Sequence, residues 1–235
     1  GGGGKGGGRE EKKERRGARA GTRMQYAFCP VRLERSVAFP KDHVLVVATS
    51  GVAAEKIGAA RDRYNRLSTM AREILEQWQS VTGVRYPSLA SAIAASPDAA
   101  DRIRGLLRAQ RLTRFEHFLL ESNELVPGAA DALARDDVAS LGSIVERSQR
   151  AAEELLGNQT PETSFLARSG RELGAVAASA FGAGFGGSVW ALVSDADAGV
   201  FQSRWASAYA AHFPVAARRS EMFLTHGGPG VVELG

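Results

Sequence analysis

A run of glycines between two apolar segments constrains this chain more than any other feature. Residues 179–193 read SAFGAGFGGSVWALV, with glycines at Gly182, Gly184, Gly186 and Gly187. Glycine adopts positive φ without steric cost and has no Cβ to hold a ligand away from the backbone. The pattern predicts a strand, a glycine loop and a second strand, with backbone N–H groups that can approach an anion such as phosphate.

Two other interpretations of the loop have to be weighed. The glycines fit Gly-x-Gly-x-x-Gly, the fingerprint of dinucleotide-dependent oxidoreductases, in which the loop opens a helix that holds the pyrophosphate. Residues 188–193 are instead β-branched, aromatic and apolar, which favours a strand. A helix beginning at Gly187 would support the dinucleotide interpretation. The third possibility is a glycine hairpin between buried strands, with no ligand.

Five segments, taken together, resemble galactokinases of the GHMP kinase superfamily. The string SxFGAGFGGS resembles the third, C-terminal motif of that family. The supporting segments, in the family's order, are CPVR at 29–32, VLVVATSG at 44–51, YNR at 64–66, and Arg114, His117 and Glu121 in the pattern RxxHxxxE. The resemblance begins at about Tyr26, runs to the end of the chain, and covers the C-terminal half of a galactokinase only.

Strands at both ends of the sequence with helices between them predict an α+β fold, a two-layer domain with an antiparallel sheet covered on one side by helices. The resemblance implies the same fold. It implies an ATP-dependent sugar kinase that phosphorylates the C1 hydroxyl of galactose or a related sugar, with Mg²⁺ in the intact enzyme. Tyr64 matches a tyrosine that contacts the sugar in galactokinases, although its helical periodicity alone indicates a core aromatic. The glycines Gly182, Gly184, Gly186 and Gly187, with Ser188, are the expected nucleotide-binding residues. No catalytic or metal-binding residue is assigned.

The chain also departs from the galactokinase pattern. The family's N-terminal phosphate loop and catalytic Asp have no counterpart here, so we expect little activity without a separate or missing N-terminal kinase domain. Ser148-Gln149 and Asn158-Gln159-Thr160 differ from the residues usual in galactokinases, which leaves the sugar open. The alternative function is a non-catalytic sugar- or nucleotide-binding or regulatory module. Arg114, His117 and Glu121 are expected on the inter-domain side.

Charge and composition divide the chain into two parts. Residues 1–22, rich in Gly, Lys and Arg, hold seven basic and three acidic residues and thus the whole net charge of +4, and we expect them to be disordered. Residues 23–235 form the predicted domain. Nucleic-acid binding is not expected because no aromatics accompany the basic arm. No apolar run reaches the roughly 18 residues of a membrane span, and we expect a cytoplasmic protein.

Hydrophobic periodicity gives the expected elements. Strands are predicted at 26–33, 44–49 and 221–225, and helices at 59–83, 88–95, 98–121, 127–135, 138–156, 161–173 and 195–212. Thr160 is the expected N-cap of the helix that begins at Pro161. Val200 is expected to face inward, and Cys29, the only cysteine, is expected to be a small buried hydrophobe.

Overall fold

The structure, a computed structural model, describes residues 22–29, 31–53, 59–182 and 184–226. Phe28 and residues 59–64 are described by their backbone alone. Nearly all of the expected N-terminal tail lies outside the described residues.

A four-stranded antiparallel sheet forms the centre of the domain. Its strands lie in the order β4 (Ala177–Ala180), β5 (Ser188–Ser194), β3 (His43–Thr49) and β6 (Met222–Thr225). The two central strands pair in register from His43 opposite Ser194 to Thr49 opposite Ser188. Strands from distant parts of the sequence thus meet, and the glycine loop joins two sheet neighbours.

Helices pack on both faces of the sheet, which explains why its central strands are nearly continuous apolar runs. Alternate residues of β3, Val44, Val46 and Ala48, are fully buried with helices α7 (Pro161–Glu172) and α8 (Ala198–His212). Leu45, on the opposite face, packs with residues of α5 (Val126–Ala134) and α6 (Val138–Ala151). The α+β class and the antiparallel sheet predicted from the sequence are confirmed. The expectation that helices cover one side only was wrong, because β3 contributes apolar residues to a core on each face.

A second, all-helical core lies beside the sheet. It is built from four helices, α1 (Ala59–Thr82), α2 (Leu89–Ile93), α3 (Ala99–Leu106) and α4 (Ala109–Leu120). Ile74, Trp78 and Phe115 are its large buried side chains. Two π-helical turns, Glu121–Leu125 and Ala152–Leu156, continue α4 and α6. A 3₁₀ turn at Asp195–Asp197 and the short α9 (Pro214–Ala217) are the remaining elements of the described residues.

The single strand predicted at 26–33 was wrong, because the chain turns back at this point. β1 (Thr22–Phe28) and β2 (Val31–Ala38) form a separate antiparallel hairpin, with Phe28 opposite Val31. The sequence contains the reason, since Pro30 has no N–H to donate within a continuous strand. Arg35 ties the hairpin to α5 by donating hydrogen bonds to the Asp131 carboxylate and, over 2.9 Å, to the Pro127 carbonyl.

The helix predicted at 98–121 is interrupted. Leu107 and Arg108 have extended backbones, with φ/ψ of −94°/153° and −141°/154°, so α3 and α4 are separate helices. Leu107 is only 1% exposed and packs in the same core as Ile103 and Phe115. Burial of Leu107 therefore accompanies the break between the two helices. Helical periodicity in the sequence does not predict this break.

Two predicted burials were also wrong. Cys29 is exposed, and its thiol lies 3.7 Å from the Pro87 carbonyl. Val200 is 67% exposed because the buried stripe of α8 runs through Phe201, Trp205 and Tyr209, four residues apart. Among the described helices, none is long and apolar enough to cross a bilayer.

Candidate functional site

The glycine loop between β4 and β5 has the backbone conformation that its sequence predicts. Gly182, Gly184, Gly186 and Gly187 have φ of 62°, 79°, 116° and 87°. Phe185 has φ of 62°, an uncommon value for a residue with a side chain. The chain crosses from one strand to the other in the left-handed region, which explains the density of glycine. Because a strand follows the loop, the dinucleotide interpretation is rejected.

Backbone contacts hold the middle of the loop against two other segments. The Phe185 N–H donates to the Asn158 carbonyl over 2.5 Å, and the Gly187 N–H donates to the Val52 carbonyl over 2.9 Å. A Cβ on Gly184 would lie 2.0 Å from the Asn158 carbonyl oxygen, and one on Gly186 would lie 2.8 Å from the Val52 oxygen. These glycines are therefore required for packing within the protein, whatever the loop binds.

The beginning of the loop is more open. Gly182 is exposed, and a Cβ built on it would meet nothing within 4 Å. Compared with Gly184 and Gly186, Gly182 alone has open space at its Cβ position. An external group can approach the loop backbone at this end.

Buried polar side chains fix the strand that leads into the loop. Gln149 of α6 is 7% exposed, and its carbonyl oxygen accepts hydrogen bonds of 3.0 Å from the Ser179 hydroxyl and from the Ala180 N–H. Its amide donates to Glu153 over 2.9 Å. Gln149 and Asn158 lie in the two segments that depart from the galactokinase pattern. The sequence thus marked these positions as unusual, but their contact with the loop was not predicted.

Ser188 is the first residue of β5, where it pairs with Thr49. Its carbonyl accepts a hydrogen bond of 2.9 Å from the Phe181 N–H and thereby closes the neck of the loop. Next to it, the Ser50 N–H donates to the Gly187 carbonyl over 2.8 Å. The end of β3, which carries the ATSG segment, is thus joined to the glycine loop.

Tyr64 lies in the first turns of α1, and its side chain lies outside the described part of the structure. One turn later, the Leu67 carbonyl accepts a hydrogen bond of 3.3 Å from Arg114 Nε of α4. Desolvation lowers the pKa of Arg114. The structure therefore places one residue of the RxxHxxxE pattern against the helix that carries the YNR segment.

The other two residues of that pattern face different surroundings. Burial and then the charge of Arg114 lower the pKa of His117 to about 4, so the imidazole is neutral near pH 7. Its Nδ1 is buried with no hydrogen-bond partner in the described structure. Glu121 accepts a hydrogen bond of 2.6 Å from the Ser148 hydroxyl, which joins α4 to α6. Glu121 thus connects two helices, and the expected inter-domain position of Arg114, His117 and Glu121 stays a prediction.

Comparison with known proteins shows what this chain resembles. Residues 129–211 match the family model described as GHMP kinases C terminal. The whole chain is 26% identical over 176 residues to a galactokinase of Roseiflexus sp., and the aligned residues cover 74% of this chain and 43% of that protein. It is 28% identical over 177 residues to a galactokinase of Thermococcus kodakarensis, which covers 69% of this chain and 50% of that protein.

A solved structure shares the fold. The galactokinase of Lactococcus lactis, crystallised with galactose, superposes with a TM-score of 0.76 at 18% identity, over 93% of this chain and 54% of that one. This chain therefore spans about half the length of the relatives that it matches. The resemblance to galactokinases predicted from the sequence is confirmed.

Proposed function

We propose that this chain is the C-terminal half of a galactokinase-like kinase that transfers the γ-phosphoryl group of ATP to the C1 hydroxyl of galactose or a close relative. The observation that carries the proposal is the glycine loop. It follows the galactokinase motif in sequence, and it is built between β4 and β5 of a GHMP kinase C-terminal domain. The galactokinases with which this chain aligns supply the proposed class of reaction.

In this proposal the loop contributes to nucleotide binding through its open end. Gly182 has space beside its backbone, whereas the Phe185 and Gly187 N–H groups already donate within the protein. The buried contacts of Gly184 and Gly186 keep the loop in one conformation, and such preorganisation favours electrostatic stabilisation of a transferring phosphoryl group. Ser188 is included among the proposed nucleotide-binding residues because it begins the strand that follows the loop.

Tyr64 is proposed to contact the sugar, on the strength of its match to the galactokinase motif. Magnesium would accompany ATP in the intact enzyme and neutralise charge on the transferring phosphoryl group. Among the described residues no group of three or more His, Cys, Asp or Glu side chains could hold a metal ion, and no Mg²⁺ ligand is assigned to this chain. The main phosphate loop and the catalytic Asp are proposed to come from an N-terminal kinase half.

The test is an assay of ADP release from ATP and Mg²⁺ across a panel of sugars. The chain is assayed alone and then mixed with the N-terminal half of a galactokinase. We expect turnover in the mixture only, with galactose or a close relative preferred. Turnover by the chain alone would contradict the assignment of the catalytic residues to the other half. Sugar binding without turnover in either sample would contradict the kinase proposal and support a non-catalytic binding module.

A matched pair of variants tests the loop itself. Gly182→Val should weaken ATP binding in the mixture, because the added side chain occupies the open end of the loop. Gly83→Val is the control, since Gly83 directly follows α1, has φ of 70° and would likewise have a Cβ that meets nothing within 4 Å. Equal ATP affinity in the two variants would remove Gly182 from the nucleotide site.

A further inference from the structure

We propose that a cleft between α1 and the beginning of α4 binds a small phosphoryl-bearing anion, at a place separate from the glycine loop. The cleft has a volume of about 940 Å³, which is ample for a ligand of nucleotide size. The polar and charged lining residues on which the proposal rests are Arg66, Thr69, Glu73, Arg108, Gln110 and Arg111. The cleft shares no lining residue with the glycine loop.

Neutral groups of the protein hold two of the three guanidinium groups in place. Arg108 Nη1 donates to the Gly105 and Leu107 carbonyls, over 2.9 Å and 2.7 Å. Arg111 Nη1 donates to Gln77 Oε1 over 3.3 Å, and the Gln77 amide is itself bonded to the Leu106 carbonyl over 3.1 Å. A guanidinium has five N–H donors, so each group keeps donors for a ligand.

The charge of these arginines is not balanced by carboxylates. Within the part of the chain that the structure describes, Arg66, Arg108 and Arg111 form no ion pair, and Glu73 is the one carboxylate that lines the cleft. The nearby Arg104 is a contrast, because it pairs with both Asp101 and Glu116. Three cations facing one anion leave a positive potential that favours an anionic ligand.

The backbone adds to this preference. The first turn of α4 lines the cleft at Ala109, Gln110 and Arg111, and Arg108 at the N-cap position offers no side-chain acceptor to the turn. The first N–H groups of a helix have no partner within the helix, and its N-terminus carries partial positive charge. The first turn of α4 and the three arginines thus line one open space.

The donor geometry selects the ligand class. A planar guanidinium donates two parallel hydrogen bonds to a phosphate or carboxylate, and helix N-termini favour phosphate in particular. The volume suits a small molecule that carries one or more phosphoryl groups, such as a nucleotide or a phosphorylated sugar. Inorganic pyrophosphate carries this chemistry alone and serves as the probe.

The experiment is calorimetric titration of the full chain with inorganic pyrophosphate. We expect saturable binding that Arg111→Gln weakens about tenfold, because a charge-assisted hydrogen bond is lost. Glu73→Gln should tighten binding, since it removes the opposing charge. Arg85→Gln, the same charge change at an exposed position outside the cleft, should leave the affinity unchanged.

Three results would overturn the proposal. The first is no saturable binding at millimolar pyrophosphate. The second is equal weakening by Arg85→Gln and Arg111→Gln, which would indicate general charge attraction. The third is weaker pyrophosphate binding by the Glu73→Gln variant than by the unsubstituted chain. Thermal unfolding of each variant checks that it folds, and because the probe carries no sugar or nucleoside, these outcomes do not depend on kinase activity.

Discussion

The Tyr209 hydroxyl donates a hydrogen bond of 2.5 Å to the Ser50 carbonyl, across 159 positions of sequence. Tyr209 is 1% exposed and Ser50 is fully buried. The Ser50 N–H in turn donates to Gly187 of the glycine loop over 2.8 Å. One residue at the end of β3 therefore joins α8 to the candidate site.

Removal of this hydroxyl should destabilise the domain. Tyr209→Phe leaves the ring packed but deprives the buried Ser50 carbonyl of its side-chain donor, at a cost of about 1–3 kcal/mol in the free energy of unfolding. Chemical denaturation measures the change. Tyr26→Phe is the control, because Tyr26 is 51% exposed, and it should change stability little. An equal effect of the two substitutions would mean that the buried bond contributes nothing specific.

Two glycines of the loop should respond differently to alanine. Both have positive φ, which costs an alanine about 1–2 kcal/mol. Gly184→Ala also places its Cβ 2.0 Å from the Asn158 oxygen and should cost a further 1–3 kcal/mol or so, whereas Gly182→Ala meets open space. Urea-induced unfolding measures the loss of stability in each of the two variants. Equal losses of stability would show that the loop moves freely away from Asn158.

His117 should make the domain sensitive to mild acid. Its pKa is lowered to about 4, by burial first and then by Arg114, whereas an unperturbed histidine titrates near pH 6.5. Between these values the unfolded chain binds a proton that the folded chain does not, so stability falls as the pH decreases from 6.5 to about 4. His117→Leu should have a shallower pH dependence in this window. Parallel stability curves for the two proteins would contradict the burial of a neutral imidazole.

The N-cap of α7 should contribute measurably to stability. The Thr160 hydroxyl accepts a hydrogen bond from the Thr163 N–H, and the Thr163 hydroxyl accepts one from the Thr160 N–H. Thr160→Ala should cost about 1 kcal/mol in the free energy of unfolding. Ser207→Ala, which removes an exposed hydroxyl from the interior of α8, should cost less. A larger loss for Ser207→Ala in thermal unfolding would be the contrary result.

Local chemistry written in the sequence was sufficient for much of the fold. The apolar runs of β3 and β5, the period of α1 and the Thr160-Pro161 start of α7 each depend on residues close in sequence, and the structure confirms them. The glycine loop belongs with them, because its left-handed backbone follows from the residue type. The resemblance to galactokinases likewise rested on short motifs of residues that are close in sequence.

Contacts between distant segments were decided only by the tertiary structure. Burial of Leu107 accompanies the division of one predicted helix into two, and Cys29 is exposed because its strand became a separate hairpin. Gln149 and Asn158 are ordinary polar residues in sequence, and they support the loop only because α6 and the segment before α7 pack against it. Local sequence determined the backbone of the segments that were predicted correctly, whereas the partner of a side chain depends on which other segments fold against it.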